Sequence, residues 1–192
     1  MEHDSIDEAC ASSSKPCDVN ILITGTPSTG KSTTAAQVAE RTGLRHVNVG
    51  EIAQDRKLFE SYDEERKCGV LDDEKVLDEI EDWLDNGGNV VEYHGSEFFP
   101  ERWFAAVYVL RTDNTVLYDR LAARGYPEKK IRENVECEIF GVLAEEARDS
   151  YPKVDVLELS SDTPDDMDRN IDVICDFVEK WRQAKIVNHN SC

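Results

Sequence analysis

The chain has 192 residues, of which 40% are hydrophobic and 33% are charged, and its formal net charge at pH 7 is −19. This size and composition indicate one soluble globular domain and exclude a disordered chain. No segment approaches the roughly 20 consecutive apolar residues that span a bilayer, so no membrane association is expected. The negative charge disfavours direct DNA binding and favours a basic partner, unless it serves only to keep the protein in solution.

The ends of the chain and its cysteines bear on the cellular compartment. Residues 1–17 are polar and acidic, without the apolar segment of a secretory signal or the arginines of a mitochondrial presequence. We expect flexible tails over 1–17 and 188–192, and a location in the nucleus and cytoplasm. The six cysteines form no CxxC pair and have no histidine at zinc-ligand spacing, which favours free thiols: Cys10, Cys17, Cys68, Cys137, Cys175 and Cys192.

Short apolar segments alternate with longer segments of helical periodicity throughout residues 18–187. The predicted strands are 19–24, 45–49, 89–93, 104–110 and 154–159, and the predicted helices are 31–41, 51–67, 72–86, 113–124, 131–147 and 171–181. Strands that alternate with helices predict an α/β domain with a five-stranded parallel sheet and helices on both faces.

A glycine-rich segment, Gly25–Ser32, lies between the first predicted strand and the first predicted helix. It matches the pattern GxxxxGK[ST] in the strand–loop–helix context of a phosphate-binding loop, so we expect ATP or GTP with Mg²⁺. Lys31 is expected to neutralise the β and γ phosphates, and the Ser32 hydroxyl to bind Mg²⁺. Gly25 and Gly30 permit a close backbone approach that a Cβ atom would obstruct.

The base of the nucleotide is indicated by a missing motif. GTPases usually recognise guanine with an Asn-Lys-x-Asp segment after a strand, and the sequence has no such segment. The segment Asp85–Gly88 fits a loose DxxG pattern, but it precedes the third predicted strand instead of following it. The sequence therefore favours ATP.

Two polar residues, Glu92 and His94, lie at the end of the third predicted strand, at the edge of the sheet where the P-loop also begins. A P-loop enzyme needs a carboxylate there to hold Mg²⁺ directly or through water, and Glu92 is placed for this. His94 lies two residues further along and is expected on the same side, where it could orient a water molecule or a substrate.

The charge balance inverts around Gly125, in a protein otherwise rich in acids. Five basic residues accompany one acid, Glu128, in this segment: Arg120, Arg124, Lys129, Lys130 and Arg132. The sequence Gly125–Pro127 interrupts the helical pattern in the middle of the segment. A mobile basic segment that covers the transferring phosphoryl group and excludes water is therefore predicted.

With these motifs placed, the chain resembles the adenylate kinase isoenzyme 6 family, also known as coilin-interacting nuclear ATPase proteins. The resemblance covers roughly residues 20–185, and its most specific segment is Glu92–Trp103, EYHGSEFFPERW, close to the family's DYHGCDFFPERW. Further matches are HVNVG at 46–50, YDEE at 62–65, VLRTD at 109–113, RGY at 124–126 and CEIF at 137–140.

The resemblance implies a nucleoside-monophosphate-kinase-like fold and assigns roles to individual residues. It implies a monophosphate-binding region near 48–71, a short lid near 123–133 and ATP contact by Arg124. Arg102, in a segment similar to the Phe-Pro-Arg of other adenylate kinases, is implied to hold a substrate phosphate. The residues implied to bind ATP phosphates and Mg²⁺ are Gly25, Ser28, Gly30, Lys31, Ser32 and Thr33, with Asn48 and Gly50 on the substrate side.

The resemblance also implies an activity and a partner. The implied reaction is ATP + AMP to 2 ADP, with CMP or dAMP as further acceptors and a slower ATPase activity. The implied partner is a basic small-subunit ribosomal protein, in small-subunit maturation and rRNA processing, and a monomer is expected. An assembly ATPase with little kinase activity is the alternative, and a gluconate or shikimate kinase is a third reading that the Glu92–Trp103 segment does not support.

Three positions depart from the family pattern. Ser28 stands where the family usually has Gly, which strains the loop if this residue needs a positive φ. Glu92 replaces the usual Asp and reaches one methylene further. Gln54 replaces an Arg that usually contacts the monophosphate, with Arg56 as the nearest substitute, which shifts the expectation toward ATPase activity.

Overall fold

The computed structural model describes residues 18–63 and 68–189, so the predicted tail 1–17 and most of the predicted tail 188–192 lie outside the described residues. Its strands are β1 (Asn20–Gly25), β2 (Arg45–Asn48), β3 (Phe59–Asp63), β4 (Cys68–Leu71), β5 (Asn89–Glu92), β6 (Ala106–Arg111) and β7 (Asp155–Ser160). Its α-helices are α1 (Lys31–Thr42), α2 (Val49–Arg56), α3 (Asp73–Asn86), α4 (Asn114–Ala123), α5 (Glu128–Phe140), α6 (Val142–Ser150) and α7 (Pro164–His189). In the part of the chain described, no helix is long and apolar enough to cross a membrane.

Five strands form the predicted parallel sheet, in the order β2-β5-β1-β6-β7. All six residues of the central strand β1 are buried, as expected for a parallel strand covered on both faces. Alternate residues of β1 enter different cores because side chains of a strand alternate between faces. Leu22 packs in the core formed with α2, α3 and α6, whereas Ile21 and Ile23 pack in the core formed with α1 and α7.

The predicted helix over 51–67 is correct only as far as Arg56, and residues 64–67 lie outside the described residues. Helix α2 ends at Arg56, because Lys57 adopts a left-handed conformation with φ 58°. The chain then forms an antiparallel hairpin in which Phe59 pairs with Leu71. The Phe59 ring lies against Gly69, where a Cβ atom would lie 2.5 Å from the ring. The charged residues of this segment favour a helix by propensity, but cross-strand packing decides the structure.

The predicted continuous helix over 131–147 is also interrupted. Gly141 adopts a left-handed φ of 65° and separates α5 from α6. The apolar periodicity continues across the break because both helices pack against the rest of the protein, α5 through Ile131 and α6 through Ala144 and Ala147. At the C-terminus, α7 continues to His189, past the predicted domain end at 187.

Candidate active site

The glycine-rich loop follows β1, the strand from which the sheet extends in both directions. Strand β5 pairs with one edge of β1 and strand β6 with the other. Ligands of open α/β sheets bind outside the carboxyl ends of the strands at such a switch point. The register places Glu92 beside Ile23 of β1 and beside Asn48 of β2. The sheet therefore brings Glu92 and Asn48 to the level at which the loop begins.

A pocket of about 260 Å³ lies at this edge of the sheet. It unites segments that are far apart in the sequence: the loop, the β2–α2 junction, the end of β5 and the α4–α5 turn. Ten of the predicted site residues line it: Ser28, Gly30, Lys31, Ser32, Thr33, Asn48, Gly50, Glu92, His94 and Arg124. Pro27, Tyr93 and Tyr126 complete the lining.

Gly25 is buried below the pocket instead of lining it. Its φ is 141°, and a Cβ atom at this position would lie 2.5 Å from the carbonyl oxygen of Leu110. Gly25 is therefore required for the close packing of β1 against β6, and this packing fixes the position of the loop relative to the sheet. Gly30, with φ 97°, directly precedes α1.

Ser28 has a φ of 75°, so the position that is Gly in the resembling family does need a positive φ. A non-glycine residue in this region carries strain of about 1–2 kcal/mol. The Ser28 hydroxyl is also buried and has no hydrogen-bond partner among the residues that the structure describes. The loop therefore holds both backbone strain and an unsatisfied polar group.

Lys31 is folded back onto the loop. Its Nζ atom donates hydrogen bonds to the carbonyl oxygens of Gly25 at 2.8 Å and Thr26 at 3.0 Å. Burial lowers the pKa of Lys31 to about 8; the carboxylates of Glu92 and Glu138 act against this shift, and the Arg124 charge adds to it. A bound triphosphate would supply the negative charge that this ammonium group lacks.

Glu92 is 3% exposed at the end of β5, and its Oε1 atom lies 3.1 Å from Nε2 of His46. The Ser32 hydroxyl lies on the exposed first turn of α1 in the same pocket. A carboxylate and a hydroxyl are hard oxygen donors of the kind that Mg²⁺ prefers, and Mg²⁺ takes its remaining ligands from water and phosphate. The residues present therefore fit a Mg²⁺ ion bound together with a nucleotide.

His94 lies beside Glu92 in the pocket, as predicted. Its ring lies 4.3 Å from the Tyr93 ring, and its carbonyl accepts a hydrogen bond from the Thr24 hydroxyl. The residue is exposed at the surface of the pocket, yet desolvation of its ring, followed by the ammonium groups of Lys31 and Lys130, lowers the pKa of His94 to about 4. His94 is therefore neutral at pH 7.

The basic segment around Gly125 is more ordered than expected. Arg120 donates to the carbonyl oxygens of Ser161 and Asp162, both at 2.8 Å, and is thus fixed to the loop after β7. Arg132 is paired with Glu128 on the surface of α5.

The turn between α4 and α5 brings basic groups toward the pocket. Arg124 ends α4 and lines the pocket, and Tyr126 packs against the small core of the α4–α5 pair. Lys130 lies over the Tyr126 ring, with Nζ 5.3 Å from the ring centroid. The predicted lid over 123–133 thus comprises the end of α4, the turn 124–127 and the beginning of α5, and its role as a lid stays a prediction.

The structure does not place Arg102 in this pocket, so the substrate-binding role inferred for it has no support from this geometry and stays a prediction. Arg102 lies in a 3-10 turn before β6, where it lines a second cavity with Asp18, Phe104 and Trp181. Its guanidinium lies over the Trp103 ring and 3.6 Å from a carboxylate oxygen of Glu81. The chain returns from the carboxyl edge of the sheet to its amino edge before β6 begins, and Arg102 is carried with it.

Gln54 and Arg56 lie on the exposed surface of α2. Arg56 is directed toward Glu79 of α3, with 3.5 Å between Nε and Oε1. Gln54 stands four residues after Gly50, so the two share a face of the helix. Arg56 does not share that face, which argues against its replacing the missing arginine.

The sequence alone did not identify the residues that contact the site residues from outside the pocket. His46 contacts Glu92, Glu138 contacts Thr26 of the loop, and Ser161 contacts Thr29. His46 and Glu138 fall in the short segments that match the family, HVNVG and CEIF, and this was the available signal. Their partners lie 46 and 112 residues away in the sequence, so periodicity could not identify the pairs.

Comparison with known proteins is consistent with this geometry. A family model described as an AAA domain matches residues 21–141. The adenylate kinase isoenzyme 6 homolog of Caenorhabditis elegans is 51% identical over 165 residues, covering 85% of this chain and 91% of the relative. The homolog of the same name from Drosophila melanogaster is 47% identical over 164 residues, covering 85% and 94%. The crystal structure of shikimate kinase from Bacteroides thetaiotaomicron matches with a TM-score of 0.58 at 16% identity, covering 84% and 98%, which shows the fold alone.

Proposed function

The chain belongs to the adenylate kinase isoenzyme 6 family, and on this basis we propose that it transfers the γ-phosphoryl group of ATP to AMP. The observation that carries the proposal is the single pocket that unites Lys31, Glu92 and Arg124 with Asn48 and Gly50. This arrangement supports a triphosphate site at the loop and an acceptor site on the side of β2 and α2. The family relationship identifies the acceptor as a nucleoside monophosphate.

In the proposed reaction the backbone N–H groups of the loop and of the α1 N-terminus bind the phosphate oxygens of ATP. Lys31 leaves the carbonyl oxygens of Gly25 and Thr26 and neutralises charge on the β and γ phosphates. Arg124 approaches the transferring group from the α4–α5 turn, and closure of this turn excludes water. Ser32 and Glu92 would hold a Mg²⁺ ion, which would supply further charge neutralisation.

The acceptor needs positioning more than activation. The phosphate of AMP is itself the nucleophile, so no strong general base is required. His94 is neutral at pH 7 and can orient the acceptor or a water molecule by a hydrogen bond without carrying charge. Asn48, whose side chain caps α2 by accepting from Glu51 N, and Gly50 line the acceptor side of the pocket.

The test is ADP formation from ATP and Mg²⁺, with and without AMP, CMP or dAMP, by a coupled assay. We expect AMP to raise ADP formation well above the level with ATP alone, and Lys31→Ala to abolish the increase. If no monophosphate raises ADP formation above ATP alone, the kinase function is rejected.

A second function is an assembly ATPase that acts on a basic small-subunit ribosomal protein, in rRNA processing and small-subunit maturation in the nucleus and cytoplasm. It is favoured by the acceptor side of the pocket, where α2 provides Gly50 and no cation among the described lining residues. The net charge of −19 supports a basic partner. Without a basic contact from α2 to hold AMP, water can take the place of the acceptor phosphate. His94 and Glu92 would then orient this water molecule.

The partner proposal is tested by a pull-down of ribosomal proteins with the ATP-bound and ADP-bound protein. We expect one basic small-subunit protein to bind in only one nucleotide state and at a stoichiometry of one monomer. Equal recovery in both states, or none, rejects the assembly function but leaves the kinase function untouched.

A further inference from the structure

Thr26 is the residue of the phosphate loop on which most of the internal hydrogen bonds converge. Its carbonyl oxygen accepts from Lys31 Nζ at 3.0 Å, from Thr29 N at 3.3 Å and from the Thr29 hydroxyl at 2.8 Å. Its own hydroxyl donates outside the loop, to Oε2 of Glu138 at 2.5 Å. The orientation of Thr26 therefore determines where the Lys31 ammonium and the Thr29 side chain lie.

Glu138 is a buried carboxylate that is rigidly held. It is 4% exposed near the end of α5, and its Oε1 atom accepts from Arg111 Nε at 2.7 Å and from Thr112 N at 3.0 Å. The carbonyl oxygen of Glu138 accepts a further bond from Arg111 at 2.7 Å. Because Arg111 ends β6 and Thr112 follows it, the position of the carboxylate is fixed by the sheet as well as by the helix.

A second contact holds the phosphate loop at Thr29, on the other side of Ser28 from Thr26. The Ser161 hydroxyl donates to the carbonyl oxygen of Thr29 at 2.7 Å, and Ser161 is 2% exposed. Between the two held residues lies Ser28 with its positive φ. A strained residue persists only when its surroundings over-determine the backbone around it, and the contacts of Glu138 and Ser161 do so here.

We propose that Glu138 is a positioning residue for nucleotide binding: through the Thr26 hydroxyl it holds the strained loop in the geometry that receives phosphates, with the Lys31 ammonium beside the site until ATP binds. Glu138 is not among the residues that line the pocket, so it acts on the nucleotide through Thr26 and through the effect of its charge on Lys31. The inference rests on the proposed ATP-binding function and adds a residue to it. It also connects the loop to α5, whose first turn belongs to the proposed lid.

The test uses four single variants and one double variant of the full chain. Thr26→Val removes the hydroxyl and keeps the branched shape, Thr26→Ser restores the hydroxyl, and Glu138→Gln removes the carboxylate charge. Glu136→Gln is the matched control, because Glu136 is an exposed residue of the same helix. The dissociation constant of ATP with Mg²⁺ is measured by calorimetry, KM is measured for ATP and AMP separately, and Tm is measured without nucleotide.

We expect Thr26→Val and Glu138→Gln each to weaken ATP binding by about tenfold or more, the effect of losing a hydrogen bond to a charged group. Thr26→Ser and Glu136→Gln should bind ATP as the wild type does. The KM for ATP should rise while that for AMP stays nearly constant. The double variant Thr26→Val with Glu138→Gln should bind ATP little worse than the weaker-binding single variant, because both remove the same charge-assisted hydrogen bond.

A contact that only stabilises the fold would lower Tm and leave ATP binding below Tm unchanged, and this result overturns the inference. Strictly additive losses in the double variant overturn it as well. If Glu138→Gln does not fold, the comparison of Thr26→Val with Thr26→Ser decides alone. If the wild-type protein binds no ATP, the proposed function is rejected, and this inference with it. Normal ATP binding by every variant is a different outcome, which rejects this inference alone.

Discussion

The Nε2 atom of His46 lies 3.1 Å from the Oε1 atom of Glu92, and this contact joins the edge strand β2 to the carboxylate proposed to hold Mg²⁺. His46 is half-buried, with 27% of its side chain exposed, whereas Glu92 is 3% exposed. A buried carboxylate at a metal site depends on such a neighbour for its orientation. His46 lies on the side of Glu92 away from the phosphate loop, since β5 separates β2 from β1.

We therefore predict that His46→Ala raises the Mg²⁺ concentration needed for half-maximal activity by about 10-fold to 100-fold, the usual cost of losing such a support. At saturating Mg²⁺ the KM for ATP should remain close to the wild-type value. Arg45→Lys, on the same strand, is the control. Unchanged Mg²⁺ dependence in His46→Ala would contradict the role of this contact.

Replacement of Ser28 by glycine should stabilise the protein. It relieves about 1–2 kcal/mol of backbone strain and removes a buried hydroxyl without a described partner, a cost of about 1–3 kcal/mol. The greater chain entropy of glycine offsets about 0.5–1 kcal/mol. We expect a rise in Tm of about 2–18 °C by calorimetry. Ser28→Ala, which keeps the Cβ atom, should gain less, and an equal or larger gain for alanine would show that strain is not the cause.

The pH dependence of ATP binding should report on Lys31. Its pKa is lowered by burial from 10.5 to about 8 in the nucleotide-free protein, so above pH 8 the side chain is largely neutral before ATP binds. Binding then requires proton uptake, and the affinity should fall by up to about tenfold per pH unit between about pH 8 and pH 10. Calorimetry in buffers of different ionisation enthalpy measures both effects. Lys31→Arg, which stays charged, should show no such decrease, and a wild-type affinity that is constant over this range contradicts the prediction.

The lowered pKa of Lys31 also affects the free energy of unfolding, which changes with pH in the opposite direction to the affinity for ATP. Between about pH 8 and pH 10.5 the unfolded protein holds the Lys31 proton more tightly than the folded protein does. The contribution of this group to the free energy of unfolding therefore increases with pH over that interval. The penalty for burying the charged ammonium group is present below this interval.

Gln54→Arg should improve the use of AMP. Position 54 shares a helix face with Gly50, which lines the pocket, so an arginine there can direct its guanidinium toward the acceptor phosphate. We expect the KM for AMP to fall by about tenfold, with the KM for ATP unchanged and ADP formation without AMP reduced. Arg56→Gln is the control and should leave the KM for AMP unchanged, because Arg56 is directed toward Glu79. No change in Gln54→Arg would show that the acceptor phosphate lies elsewhere.

Arg102 and Arg124 should behave differently in the kinase assay. Arg124→Ala removes a cation from the pocket and should lower kcat by about 100-fold to 1000-fold. Arg102→Ala changes a side chain that is 66% exposed in a different part of the molecule, so the KM for AMP should stay within about twofold. A strong increase in the KM for AMP in Arg102→Ala would instead restore the role inferred from the sequence.

Much of this protein follows from local sequence. Residues Gly25–Ser32 determine a strand–loop–helix unit because each step depends on neighbouring backbone conformations, and Gly43 ends α1 with the left-handed φ that glycine adopts easily. The apolar segments that become β1, β5 and β6 determine the buried centre of a parallel sheet because both faces of these strands must be covered. These features need no knowledge of distant contacts, and they were predicted correctly.

Tertiary structure alone decided the remaining features of the fold and the site, since these features depend on which distant residues come into contact. The hairpin of β3 and β4 forms through pairs such as Phe59 with Leu71, against the helical propensity of its charged residues. The return of the chain to the amino edge of the sheet removes Arg102 from the pocket, although its motif is intact. The phosphate loop itself is recognisable within eight residues, but the contact that holds its strained segment around Ser28 joins Thr26 to Glu138, 112 residues apart. A spacing of that size leaves no periodic pattern, so only the packing of α5 against the loop reveals it.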